Sequence, residues 1–188
     1  MKIVSYKKER NGEIREEMIV EQQLIKNINY ASAGIITRYN HEKDMNELLL
    51  IQRSINDSWP LEWEIPRGKC DKEIKSSLSV DKFVLSQLIL VGLKREVKEE
   101  TGLIVEPLKY IDKFMYVFPK HKVIQYSFLC EMTNPNQKVI LSHEHEAYKW
   151  ITSMTEIQLL NVSKELTVVL SKVFNKEGRI IDHLRINK

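Results

Sequence analysis

The sequence predicts a mixed α/β (α+β) fold, with a β-sheet sandwiched between helices and an additional β-hairpin at the N-terminus. Three observations lead there. Strand-like runs stand on both sides of one long helical segment, that segment repeats its apolar residues at spacings of three and four, and a second amphipathic helix closes the chain. A length of 188 residues suits one domain with its own core.

Two runs, at residues 1–8 and 13–20, flank Asn11-Gly12, a favoured tight turn, and form the predicted hairpin. Residues 30–39 (YASAGIITRY) and 46–53 (NELLLIQR) form a second strand pair around the polar loop NHEKDM. In SWPLEWEIPRGK, Pro60 and Pro66 bracket a short extended segment that Gly68 ends. From about residue 80 to residue 101, Val84, Leu85, Leu88, Ile89, Leu93 and Val97 fall on one helical stripe, and Gly102 is a natural C-terminal stop. Strands follow at 108–118 and 123–132, then a turn at Asn134-Pro135-Asn136 and a short strand at 148–151, with Trp150 in the core. The last helix runs from about 163 to 175, with Ser163 as its cap and Leu166, Val169, Leu170, Val173 and Phe174 facing inward.

Composition narrows the function classes. No segment approaches the ~18 apolar residues of a membrane helix, and the start MKIVSYKKER lacks a signal-peptide core. Cys70 and Cys130 are too few and too far apart for a disulfide framework or a zinc site, so a reducing cytoplasm is expected. The net charge of +3 is mildly basic, but the cations are scattered rather than gathered into a nucleic-acid face.

The oddest stretch is KREVKEETGL, residues 94–103. Glu96 shares a helical face with both Glu99 and Glu100. Glu96 and Glu100 repel as a like-charged i,i+4 pair, and the helix dipole disfavours negative charge in the last turn by roughly 0.3–1 kcal/mol per group. The available ion pair, Arg95 with Glu99, runs in the less favourable direction. A solvated acidic face is the bland alternative. Carboxylates converging at a helix end make physical sense if a hard divalent cation neutralises them, and magnesium or manganese prefers oxygen ligands shared with phosphate.

REVKEETGL resembles the second half of the Nudix signature, G-x5-E-x7-R-E-U-x-E-E-x-G-U, where U is aliphatic. Arg95, Glu96, Val97, Glu99, Glu100, Gly102 and Leu103 occupy every fixed position of that half. WEIPRGK resembles the family's approach to its helix, and ASAG followed by LLLIQR resembles its opening strands. The likeness implies a Nudix-type domain over residues 29–188, with residues 1–28 as a hairpin extension. The first half departs from the pattern. Counted from Gly68, the arginine belongs at position 82 but stands at 95, which places a 13-residue insertion within about residues 70–85. Counted back from Arg95, the first glutamate of the pattern falls on Gln87; Glu73 is the other candidate to replace it.

The resemblance implies a Nudix hydrolase that cleaves a diphosphate linking a nucleoside to another group. Glu96, Glu99, Glu100 and the Gly68 carbonyl would hold Mg2+ or Mn2+, with Arg95 orienting the cluster. Arg67, Lys69 and Arg53 are candidates for the substrate's phosphates, against a reading as solvated loop cations. Trp63 and Tyr116 are candidates for contact with the base, with Trp59, Phe118 and Tyr126 as further choices; core packing is the alternative for each. LSHEHEAYKWI resembles a segment of dinucleoside polyphosphate and nucleoside triphosphate hydrolases in which a loop glutamate approaches the metals. Glu144 fits that place best and Glu146 next, so the general base is Glu99 or Glu144. The H-E-H order lacks the i,i+4 histidine pair of a helical zinc motif.

The substrate class expected first is a dinucleoside polyphosphate or nucleoside triphosphate. WEIPRGK with the hairpin also resembles ADP-ribose pyrophosphatases, which implies a homodimer, and PRGK resembles messenger-RNA decapping members, which implies capped RNA. The insertion and Gln87 motivate a further alternative, a non-catalytic Nudix-fold nucleotide-binding module.

Overall fold

The computed structural model describes residues 4–8, 14–17, 28–70, 82–119 and 121–181. The hairpin forms from β1 (Val4–Lys8) and β2 (Ile14–Glu17), which pair antiparallel; the Asn11-Gly12 turn lies outside the described residues. Most of the expected insertion, with Glu73, also lies outside them.

The longer strands are β3 (Ile28–Asn40), β4 (Met45–Arg53), β7 (Val105–Val117), β8 (Lys122–Met132) and β9 (His145–Ile151). Two short ones, β5 (Trp63–Glu64) and β6 (Arg67–Lys69), lie between β4 and the long helix. β3 is the central strand. Along one edge it pairs parallel with β8; along the other it pairs antiparallel with β6 near its start and with β4 near its end. β4 then leaves β3 to pair with β9 and β5. β7 lies antiparallel beside β8, and β1 adds parallel to β7 through Val4 opposite Tyr116 and Ser5 opposite Val117.

Alternation along the central strands divides the core into two layers. Ala33 and Ile35 of β3 and Leu48 and Leu50 of β4 meet Leu166, Val169 and Leu170 of the last helix, α3 (Lys164–Ser171). Ile36, Leu49 and Ile51 point the other way, onto Leu93 and Val97 of α1 (Lys82–Thr101). This is the predicted sandwich.

Four details differ from the expectation. α3 is shorter than residues 163–175: Ser163 caps it by accepting from the Leu166 amide at 3.2 Å, but the chain turns after Lys172. Val173 and Phe174 stay buried because Phe174 bridges to Ile180, a tertiary contact that continues the apolar stripe without helix. A short α2 (Met154–Gln158) was not foreseen, although Ser153 and Glu156 form its capping pair. β6 was read only as the end of an extended segment. Trp150 packs on the second core layer but is only half-buried, with the Arg38 guanidinium 4.0 Å over its ring. Among the described residues no helix is long and apolar enough to cross a membrane.

Candidate active site

The glutamates are placed by the packing of α1. Leu93 and Val97 are fully buried, and Glu100, three residues beyond Val97, continues that inward face. Glu100 is therefore buried, Glu96 is half-buried beside it and Glu99 projects to solvent. The inward pair meets β6. The Glu100 Oε2 accepts the Arg67 amide at 2.8 Å. A Cβ at Gly68 would stand 1.9 Å from the Glu96 Cδ, so the Glu96 carboxylate fills the space that only glycine leaves open. Arg95 closes the junction: its Nη2 donates to the Lys69 carbonyl and to Glu96 Oε1, both at 2.8 Å, and its Nη1 donates to Glu99 Oε2 at 2.8 Å.

Burial pushes the Glu100 carboxyl up to about 9; the Arg67 amide opposes this, while the charges of Glu64, Glu96 and Glu144 add to it. Burial also raises Glu96, with Arg95 opposing and Glu99 and Glu144 adding. Glu144, exposed in the turn before β9, is thus close enough to act on both. Glu146 is not so placed: its Oε1 accepts from the Ile55 amide at 2.8 Å and the Ser54 hydroxyl at 3.2 Å.

The donor set suits a hard divalent ion. Its side-chain donors are carboxylate oxygens, and among the described residues the buried Glu100 carboxylate has no cationic partner. The expected preassembled patch is nevertheless looser than read from sequence. Among the described residues no group of three His, Cys, Asp or Glu side chains is gathered closely enough to hold a metal. Like charges repel, and Arg95 has drawn Glu96 and Glu99 into salt bridges, supplying the neutralising charge itself. Gln87 is exposed on α1, two turns before Arg95.

Beside β6 opens a cavity of about 320 Å³. Of the residues proposed from sequence for substrate contact, Arg53, Arg67, Lys69 and Tyr116 line it, together with Gly68. Trp63 does not; it packs against the core layer under α3, and the loop residue Trp59 lines the cavity instead. Phe118, Gln125, Glu62 and Glu165 complete the lining used below, whereas Tyr126 lies in a separate aromatic group with Tyr30 and Tyr110.

Sequence reasoning missed Glu64. Its side chain is 2% exposed and accepts from Arg53 Nη1 at 2.7 Å and Arg67 Nε at 2.6 Å, with His145 Nε2 at 3.5 Å. Burial would raise its pKa, but His145, Arg67 and Arg53 outweigh burial and hold it below the ordinary range. No local pattern marks Glu64 as buried, since its partners come from β4, β6 and β9. Both arginines are therefore already compensated, Arg53 doubly so by Asp57 at 2.7 Å. Lys69 differs, being exposed with no carboxylate partner among the described residues.

A helix that ends in carboxylates over a glycine strand, next to a cavity of this size, is the candidate active site. The NUDIX domain family model matches residues 29–169, most of the chain, and the protein belongs to that family. It is accordingly a hydrolase acting on pyrophosphate bonds. Solved structures share the fold. A MutT protein from Methanosarcina mazei Go1 is 25% identical with a TM-score of 0.59, over 80% of this chain and 95% of that one. An Ap4A hydrolase from C. elegans, in a binary complex, is 23% identical with a TM-score of 0.57, over 77% and 93%. The NUDIX domain of Shewanella oneidensis NrtR, crystallised with ADP ribose, is 15% identical with a TM-score of 0.52, over 76% and 84%. No curated protein matches the chain at a significant level.

Proposed function

We propose that this protein is a divalent-metal-dependent pyrophosphohydrolase whose substrate is a dinucleoside polyphosphate or a nucleoside triphosphate. The observation that carries the reading is the junction of α1 and β6, where Glu96 and Glu100 meet Gly68 and Arg67 at the edge of the cavity. The substrate class rests on the EHEAYKW segment, whose Glu144 stands within electrostatic reach of Glu96 and Glu100.

Glu96, Glu99, Glu100 and the Gly68 carbonyl would hold Mg2+ or Mn2+. Such an ion polarises a phosphoryl oxygen and makes water more acidic. Arg95 is a positioning residue, tying Glu96 to the β6 backbone. Glu144 or Glu99 takes the proton of the attacking water, and both are exposed enough to pass it on to solvent. Lys69 offers its charge to a phosphate, and the cavity receives a nucleoside.

The test is product analysis on a panel of ATP, GTP, a dinucleoside tetraphosphate, ADP-ribose and capped RNA, each with Mg2+ or Mn2+. Hydrolysis should be fastest on the tetraphosphate or the triphosphates. Glu99→Gln and Glu100→Gln should each lower kcat by at least about 100-fold, and Glu144→Gln should separate the two candidate bases. Unchanged turnover in both helix variants would remove the catalytic assignment. Nucleotide binding with no turnover on any substrate would make the protein a Nudix-fold binding module.

A further inference from the structure

We propose that the cavity beside β6 selects a guanine base, with the Glu62 carboxylate as the residue that reads it. This deepens, and rests on, the reading of the site as a nucleotide hydrolase. The charge balance decides which end of a nucleotide enters. Arg53 and Arg67 are cations in the lining, but both are spent on the buried Glu64, and Arg53 also on Asp57. Glu62 is a further acidic residue of the wall. The two arginines thus bring little uncompensated charge to the wall and Glu62 adds a carboxylate, a balance that does not attract phosphate. The phosphates belong at the α1 end, by Lys69, and the cavity takes the uncharged part of the nucleotide.

Three features suit that part to a base. Trp59, Tyr116 and Phe118 supply aromatic surface for stacking. Half-buried Glu62 has no side-chain hydrogen-bond donor or ion pair among the described residues; burial raises its carboxyl above the ordinary value, with Arg67 and Arg53 opposing and Glu64 and Glu165 adding. The loop that carries both Trp59 and Glu62 is held in a strained form. Leu61 sits at φ 60°, in the left-handed region that a branched residue seldom adopts. The strain is kept in place by several bonds: the Glu62 amide to the Trp59 carbonyl at 3.4 Å, the Leu61 amide to the Arg53 carbonyl at 3.3 Å, and Gln52 Nε2 to the Leu61 carbonyl at 3.2 Å. A loop fixed at such cost presents its two side chains in a set arrangement.

An ionised carboxylate only accepts hydrogen bonds. Guanine offers it two adjacent donors, N1–H and the N2 amino group. Adenine and cytosine offer one amino group beside a ring-nitrogen acceptor, and uracil offers one N–H between two carbonyl oxygens that a carboxylate repels. Guanine's remaining acceptor, O6, suits the donors of Arg67 and Gln125 in the same wall. The recognised group is the guanine base, whether of a free nucleotide or of the end of an RNA.

The experiment is equilibrium binding by calorimetry of GDP, ADP, CDP and UDP to the full chain without added metal, repeated on Glu62→Gln and Trp59→Ala. GDP should bind roughly tenfold or more tightly than the other three. Glu62→Gln should abolish the preference at an unchanged melting temperature, because an amide places a donor against guanine's donors, and Glu62→Asp should restore part of it. Trp59→Ala should weaken all four by a similar factor, since stacking carries no information about the base edge. Equal affinities in the wild type, no binding of any nucleotide, or a guanine preference that survives Glu62→Gln would each overturn the inference. The hydrolase reading is judged separately, by turnover with Mg2+ or Mn2+: a protein that prefers GDP yet hydrolyses nothing keeps this inference and loses that one. A parallel arm with 7-methyl-GDP distinguishes the sources, since tighter binding than GDP would point to the end of a capped RNA.

Discussion

Gly68 and Glu96 occupy one small volume, and the consequence is specific. The atom that a Gly68→Ala methyl would meet is the end of a flexible glutamate side chain, not backbone. Stability should therefore change little, while the Glu96 carboxylate must swing away from β6. Hydrolysis should fall by about 100-fold, the scale of a 1 Å misplacement, and a comparison of melting temperature with kcat checks the split. Glu47 shows a purely structural use of charge. Its side chain is 1% exposed and bonds Arg38 at 2.7 Å and Lys43 at 2.8 Å, with Asn40 at 2.9 Å. Burial alone would raise its pKa, but Lys43, Arg38 and Asn40 overcome burial and lower it. A lowered carboxylate stabilises the fold fully above its ordinary value of 4.5 and loses that contribution as pH falls through the folded value. With Arg38 and Lys43 both open to solvent, Glu47→Gln should lower stability at pH 7 by about 1 kcal/mol, and denaturation curves should show the gap closing below pH 4.

At the scale of elements, the C-terminal end of α1 is finished by a distant segment. The Thr101 carbonyl accepts from the Ile140 amide at 2.8 Å and the Glu100 carbonyl from the Ser142 amide at 3.1 Å. These amides satisfy carbonyls that the helix leaves open, and they bring the chain to Glu144. Gly102 makes the turn possible at φ 69°, with its amide bonded to the Lys98 carbonyl at 2.9 Å. Gly102→Ala would strain that turn by roughly 1–2 kcal/mol and press on Ile140, whose Cβ is 3.2 Å from the added methyl. The melting temperature should drop, and activity should drop further than Tm predicts because Glu144 moves with the segment. Gly102 was readable as a helix stop from its position after an apolar stripe. Its partner was not, because nothing local in residues 137–142 marks an extended run as the complement of a helix end.

Across the whole molecule, the N-terminal hairpin joins the sheet at the strand that carries Tyr116. Val4 stands opposite Tyr116 in a parallel pairing, and Tyr116 lines the cavity. We propose that the hairpin is an extension of a domain that folds without it, and that it steadies the cavity wall. Removal of residues 1–27 should leave a folded protein whose KM rises several-fold while kcat changes less, measured on the substrate identified from the panel. Equal effects on both constants would show that the hairpin supports the α1 end as well.

By itself the sequence determined the helix, its stop, the run of strands on either side of it, and the presence of three glutamates and Arg95 at the helix end. All of these are written in short-range periodicity and residue type, and they identified the family. Only the tertiary structure decided which glutamate is buried, why Gly68 must be glycine, and that Trp59 rather than Trp63 lines the cavity. It alone showed that Arg53 and Arg67 are neutralised before any ligand arrives. The physical reason is distance along the chain. The Arg67–Glu100 bond spans 33 positions, and Glu64 meets His145 from another strand, so these charges acquire their roles only where the sheet brings them together.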